Sequence, residues 1–133
     1  MKIADYYFKF HRNFYHPIND EVKVSTIRDE SKPVDIDNVC IAYFNPIEEG
    51  IIGDALLLRI DNHYAKKFKD LELIEAQNEG YNHPDLLRHE LLNIYPNLNE
   101  ENYVYIYEFT LVKGHFSTIT NFLKEMEEEL YNE

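Results

Sequence analysis

The sequence predicts an α+β fold, an antiparallel sheet or small barrel flanked by helices, and three observations carry that reading. Residues 102–113 alternate so regularly, with Tyr103, Tyr105, Tyr107 and Phe109 against Val104, Ile106, Glu108 and Thr110, that they must form a strand. Two more strand-length apolar stretches, 39–44 and 55–60, flank a turn-rich segment, a spacing typical of neighbouring antiparallel strands. Segments 70–79, 84–95 and 117–132 carry helical patterning with recognisable ends.

Taken in order, residues 3–10 read as a strand rich in aromatics. The segment 11–16 has apolar groups too close together for a clean helical stripe, and Pro17 is expected to end it. Residues 31–38 hold Pro33 and three Asp or Asn, which predicts a loop. The run 39–44 is apolar throughout, as in a strand buried on both faces, and Asn45-Pro46 with Glu48-Glu49-Gly50 marks the following turn. Strand 55–60 continues unevenly toward Phe68.

Asp70 is the expected N-cap of the helix over 70–79, and Gly80 its stop. Leu71 and Ile74 would form its apolar face, with Glu72, Glu75 and Glu79 on the polar one. A Glu in the last turn works against the helix dipole, so Glu79 would gain from a Lys or Arg brought in from elsewhere. In helix 84–95, Pro84 suits the first turn, His83 or Asn82 can cap it, Leu87, Leu91 and Ile94 form the stripe, and Pro96 ends it. Strand 102–113 is apolar on both faces and should be central, which would leave Glu108 among hydrophobic neighbours and in need of a cationic or hydroxyl partner. The last segment, 117–132, is amphipathic, with Phe122, Met126 and Leu130 opposite a glutamate-rich side; it reads as a packing helix or as one that receives a partner.

At 133 residues the chain is most simply one domain over 1–133, with 117–133 as a helical extension. Cys40 stands alone, so no internal disulfide forms and a reducing compartment is favoured. The first twenty residues lack an apolar core and no run approaches a membrane span, which predicts a cytoplasmic protein with no membrane partner. The formal charge of -12, from 13 basic and 25 acidic residues, argues against gripping an extended nucleic-acid backbone. Lys66, Lys67 and Lys69 could still form a local basic patch. A nucleoside carries no phosphate, so for it the overall sign matters little.

The chemistry concentrates in residues 23–31, where Lys23, Thr26 and Arg28 put an amine, a hydroxyl and a guanidinium close together. An amine beside a hydroxyl can act as base and nucleophile, and a guanidinium can hold a carbonyl oxygen or a phosphate. On a regular strand Thr26 and Arg28 share a face and Lys23 points the other way. Lys23 can join them only if the strand begins after it or a bulge re-aims it. Otherwise the stretch is a half-buried strand with a solvated Lys and a surface Arg-Asp pair.

The same string, K-V-S-T-I-R-D-E-S, resembles the K-T-x-T-I-R-D-x-S signature of ASCH domains, which have the PUA-like fold, and in particular of the small bacterial N(4)-acetylcytidine amidohydrolases. Downstream, Glu79-Gly80-Tyr81, then Asp85-Leu86-Leu87, Ile94-Tyr95-Pro96 and Val104-Tyr105-Ile106-Tyr107-Glu108-Phe109 resemble the family's E-x-[FM] turn, helix, I-Y-P end and final V-x-x-I-E-F strand. Tyr81 stands at the [FM] place and Tyr107 at the Ile place, and Asn19-Asp20-Glu21-Val22 stands where a Gly-rich turn is usual.

The resemblance implies a PUA-like small antiparallel β-barrel with flanking helices, a helix leading into Lys23, and a C-terminal helix added past the family's usual end. It implies metal-independent hydrolysis of the amide at the exocyclic nitrogen of an acetylated cytosine nucleoside, with no cofactor. In that reaction Thr26 would be the nucleophile or orient the water, Lys23 the general base and later acid, and Glu79 the carboxylate that positions or relays. Arg28 and Glu108 would bind substrate, and Arg28 would also make Lys23 a better base by disfavouring its charged form. The alternative is an RNA-binding or RNA-processing module that uses the same cleft to hold a modified base.

Other chemistries find little footing. A zinc site would rest on His83, Asp85, His89 and Glu90, with no H-E-x-x-H pattern. No P-loop, dinucleotide glycine pattern or G-x-S-x-G elbow is present.

Overall fold

The structure, a computed structural model, describes residues 3–45 and 55–113. Its strands are β1 (Ile3–His11), β2 (Ser25–Arg28), β3 (Val39–Asn45), β4 (Ala55–Lys67) and β5 (Tyr103–Val112). They form one sheet in the order β1-β3-β4-β5-β2, curled into a half-barrel whose open seam lies between the edge strands β1 and β2. The helices are α1 (Tyr15–Asn19), α2 (Leu73–Asn78) and α3 (Pro84–Ile94), with 3₁₀ turns at Arg12–Phe14 and Phe68–Asp70.

The expected α+β class is present, but the sheet is mixed. β1 pairs with β3 in parallel, while the other three pairings are antiparallel. A parallel pair needs a crossover, and α1 together with β2 supplies it. The uneven continuation of the second strand is a register shift between Ile60 and Asn62, after which β4 stays paired with β5 to Lys67. Such an irregularity bends and twists a strand, as a curled sheet requires. β5 lies inside the sheet with apolar groups on both faces: Val104 and Ile106 pack beneath α2 and α3, while Tyr107 and Phe109 join Phe8, Phe44 and Leu58 in the core on the other side.

Pro17 does not end the local helix. It sits in the first turn of α1, where a missing N–H leaves no bond unmade, and the helix runs on to Asn19. Its carbonyl accepts the backbone N–H groups of Val22 and Lys23, each at 2.9 Å. The left-handed residue in this turn is Glu21, at φ 59°. It stands in for a glycine at a cost of about 1–2 kcal/mol.

α2 departs further from expectation. Glu72, not Asp70, is its N-cap, in a reciprocal capping box with Glu75. Asp70 ends the preceding 3₁₀ turn, which the burial of Phe68 and Leu71 holds against the core. The expected faces hold only in part: Leu71 is buried, but ahead of the helix, and Glu72 is exposed. Leu73 and Ile74 are exposed, whereas Glu75 and Glu79 are only 2% and 7% exposed. Gly80, at φ +93°, ends the helix as expected. α3 begins at Pro84 beneath a His83 cap and buries Leu87 and Leu91, while Ile94 is exposed.

The expected turn within 45–54 and the C-terminal helix over 117–132 fall wholly or largely outside the described residues. Among the described residues, no helix is long and apolar enough to cross a membrane.

Candidate functional site

A cleft of about 380 Å³ opens beside the seam, between the end of β1, β2 and α3. Lys23, Thr26, Arg28 and Glu79 all line it. Its volume falls in the range of about 300–1,000 Å³ usual for small-molecule sites.

β2 begins at Ser25, after Lys23, so strand alternation does not bind the lysine. The neighbouring backbone places it instead. Val24 donates its N–H to the carbonyl of Asn78 at 2.7 Å, and its carbonyl accepts from Phe109 N at 3.0 Å. Lys23 is thereby held against the C-terminal end of α2, where Glu79 follows Asn78. Lys23 Nζ lies 2.8 Å from Glu79 Oε2, and the two side chains are 6% and 5% exposed. The Phe14 ring covers the ammonium with its centroid 5.2 Å away.

Burial lowers the pKa of Lys23. The charge and hydrogen bond of Glu79 oppose that shift, and Arg28 adds to it. Arg28 thus acts in the expected direction, but desolvation is the larger cause. Ser25 Oγ donates to the same Glu79 oxygen at 2.6 Å. One carboxylate oxygen therefore takes an amine and a hydroxyl together.

Thr26 lies on the other strand phase, only 4% exposed, and its Oγ1 accepts from Arg28 Nε at 3.0 Å. The Arg28 guanidinium carbon sits 5.2 Å from the Phe8 ring centroid and 4.9 Å from that of Phe10. Arg28 therefore reaches from β2 across the open seam to the aromatic floor of β1.

Of the expected site residues, the amine and the acid make direct contact. The hydroxyl shares their cleft but is held by Arg28 rather than by Lys23. Glu108 is not among the residues lining the cleft. It lies opposite Ser25 in the β2–β5 register and accepts from Asn62 Nδ2 at 3.1 Å. The partner it finds is the amide of Asn62, directly opposite it in the β4–β5 register.

Sequence reasoning missed four contributors. Ser25 shares strand phase with Lys23 in the K-V-S-T string, a signal that was available. Glu90 lies between Leu87 and Leu91 on the face of α3 that lines the cleft, but was weighed only as a metal ligand. Tyr81 and Tyr95 line the cleft as well. The Tyr81 hydroxyl is pushed up to about 12 by burial and by the nearby charges of Glu90 and Glu79, so it remains a donor.

His83 accepts from Asp85 N, and Asp85 pairs with Arg88; both are engaged at the start of α3. Among the described residues, no three His, Cys, Asp or Glu group closely enough to hold a metal ion. The lysine patch is neutralised. Lys66 binds Glu72 and Glu75, and Lys67 and Lys69 both bind Glu101.

No family model matches the sequence, and no curated protein matches it significantly. Solved structures match its fold. An ASCH domain from Lactobacillus crispatus JV V101 superposes with a TM-score of 0.62 at 8% identity, covering 79% of each chain. A protein from Enterococcus faecalis V583 with the family label DUF984 superposes with a TM-score of 0.60 at 12% identity, covering 84% of this chain and 79% of that one. The likeness is one of fold: the chain has the PUA-like, α+β fold of an ASCH domain.

Proposed function

We propose that this ASCH-fold chain is an amidohydrolase that removes the acyl group from N(4)-acetylcytidine or a related acylated cytosine nucleoside. The observation that carries the reading is the buried Lys23–Glu79 pair, 2.8 Å apart on the wall of a ligand-sized cleft that also holds the Thr26 hydroxyl. A lysine with a lowered pKa is a competent base, and a carboxylate within hydrogen-bonding distance can orient it and relay its proton.

In this reading neutral Lys23 takes the hydroxyl proton of Thr26 as Oγ1 adds to the acyl carbonyl carbon. Arg28, donating to that oxygen, steadies the charge that develops beside it. The carbon–nitrogen bond then breaks, and Lys23 returns the proton to the exocyclic nitrogen, releasing cytidine. Water then attacks the Thr26 ester carbonyl, with Lys23, oriented by Glu79, accepting its proton; the bond from the acyl carbon to Oγ1 breaks, Lys23 returns that proton to Oγ1, and acetate leaves. If Thr26 orients the water instead, no acyl-Thr26 species forms. Mass spectrometry of rapidly acid-quenched protein distinguishes the two routes.

The test is direct. Purified protein incubated with N(4)-acetylcytidine should yield cytidine and acetate, equally well with a chelator present. Lys23→Ala, Thr26→Ala and Glu79→Ala should each abolish the product. Turnover retained by Lys23→Ala would exclude the base role.

The second reading, an RNA module, draws on Tyr81, Tyr95 and Arg28, which suit a base stacked in the cleft. Against it stand the net charge of -12 and the neutralised lysine patch. A filter-binding titration in rising salt discriminates: steep salt-dependent RNA affinity favours this reading.

A further inference from the structure

Glu90 is a carboxylate with no assigned task. It lines the cleft from α3, half-buried, in the same stripe as Leu87, Leu91 and Ile94. The other carboxylates buried nearby are paired: Glu79 with Lys23 and Ser25, Glu75 with Lys66 and Tyr64. Glu90 has no hydrogen bond or ion pair among the described residues. Its own helix offers no cation, because the positions three and four residues away are Leu86, Leu87, Asn93 and Ile94. Its charge instead reaches Lys23 and Tyr81.

An apolar residue at this position would complete the α3 stripe, whereas a carboxylate turned into the cleft presents two acceptor oxygens to a ligand donor. The reactive end of a ligand belongs at Lys23 and Thr26, and a base can lie against Tyr81 and Tyr95. The end that remains is the sugar. A carboxylate accepts from two neighbouring hydroxyls at once and recognises ribose in this way at dinucleotide sites.

We infer that Glu90 is the sugar-recognition residue of the cleft, accepting hydrogen bonds from the 2′ and 3′ hydroxyls of a free ribonucleoside. This rests on the nucleoside reading given above and deepens it. It implies preference for a riboside over a deoxyriboside or free base. It also disfavours a nucleotide inside an RNA chain, whose 3′ oxygen is esterified and whose phosphate a carboxylate repels.

The experiment measures calorimetric affinities of cytidine and 2′-deoxycytidine for the wild-type protein and for Glu90→Ala and Glu90→Gln, alongside deacetylation of N(4)-acetylcytidine and N(4)-acetylcytosine. Wild type should bind cytidine about tenfold more tightly than 2′-deoxycytidine, the worth of a hydrogen bond to a charged acceptor. Glu90→Ala should bring that ratio close to one, and Glu90→Gln should leave an intermediate value. Equal wild-type affinities, discrimination surviving in Glu90→Ala, or no binding of either nucleoside would overturn the inference. Deacetylation of acetylcytosine as efficient as that of acetylcytidine would remove the sugar role and leave the amidohydrolase intact. Glu90-dependent sugar discrimination without any deacetylation would do the reverse.

Discussion

Lys23 and Glu79 stand 56 residues apart in the chain and 2.8 Å apart in the fold. Both side chains are buried, and Ser25 braces the same carboxylate oxygen. It exists because Val24 is hydrogen-bonded to the last residue of α2, which ties the approach to β2 directly to the end of that helix. Charge pairing and backbone pairing therefore reinforce one another.

Breaking this pair from one side should be costly. Glu79→Ala leaves a buried amine without its counter-charge and should destabilise the protein by about 3–5 kcal/mol. Replacing both partners, as in Lys23→Met with Glu79→Leu, should cost less than the two single changes summed. Urea unfolding of the four proteins supplies the coupling energy, and strict additivity would contradict the pairing.

The pH dependence follows from the direction of the Lys23 shift. A base must be neutral, so turnover should rise with pH through the lowered Lys23 pKa. Arg28→Gln removes a charge that lowers this pKa, so the rising limb should move to higher pH while the maximal rate falls. The same shift governs stability. Between the folded pKa and the ordinary value of 10.5 the unfolded chain binds the extra proton, so this contribution to stability increases as pH rises across that window. Lys23→Met should flatten it, as read from denaturant midpoints at several pH values.

Ser25→Ala deletes a fully buried hydroxyl that donates to Glu79 at 2.6 Å. A stability loss of about 2 kcal/mol is expected for a hydrogen bond to a charged acceptor. Turnover should fall while KM changes little, because Ser25 touches the carboxylate and not the ligand space. A pure KM effect would place Ser25 in ligand binding instead.

Glu75 anchors α2 one helical turn before Glu79. It accepts from Lys66 Nζ at 2.7 Å, from Tyr64 Oη at 3.2 Å and from the Glu72 backbone N–H at 2.9 Å. Glu75→Ala should therefore lower stability by about 3 kcal/mol, since it removes three hydrogen bonds to a buried carboxylate, leaves Lys66 only the exposed Glu72, and opens the capping box. It should also shift the pH profile of turnover, because Glu79 rides on the same helix. Loss of stability with an unchanged profile would limit Glu75 to a structural role.

Several features were readable from local pattern because they depend on local physics. Strand alternation in 102–113, the glycine stop at Gly80 and the proline start at Pro84 are short-range steric and burial rules, and each appears in the fold. The Lys23, Thr26 and Arg28 cluster was visible as a concentration of reactive groups, and Glu79 as a helix-end acid in want of a cation. Pro17 was misjudged because the rule against proline within helices does not apply to the first turn.

What the chain alone determined, among the described residues, is the main strands, the helix that Gly80 stops and the one that Pro84 starts, and the reactive groups near their ends. What tertiary structure decided is which faces turn inward. α2 is six residues long, Leu71 of the expected stripe lies ahead of it, and Lys23 with Ser25 draws Glu79 inside while Tyr64 and Lys66 of β4 draw in Glu75. Glu108, on β5, is taken up by Asn62 because the β4–β5 register, which no local pattern encodes, sets the two opposite each other. Hydrophobic periodicity reports how much of a segment is buried, but partners distant in sequence determine where its charged groups come to rest.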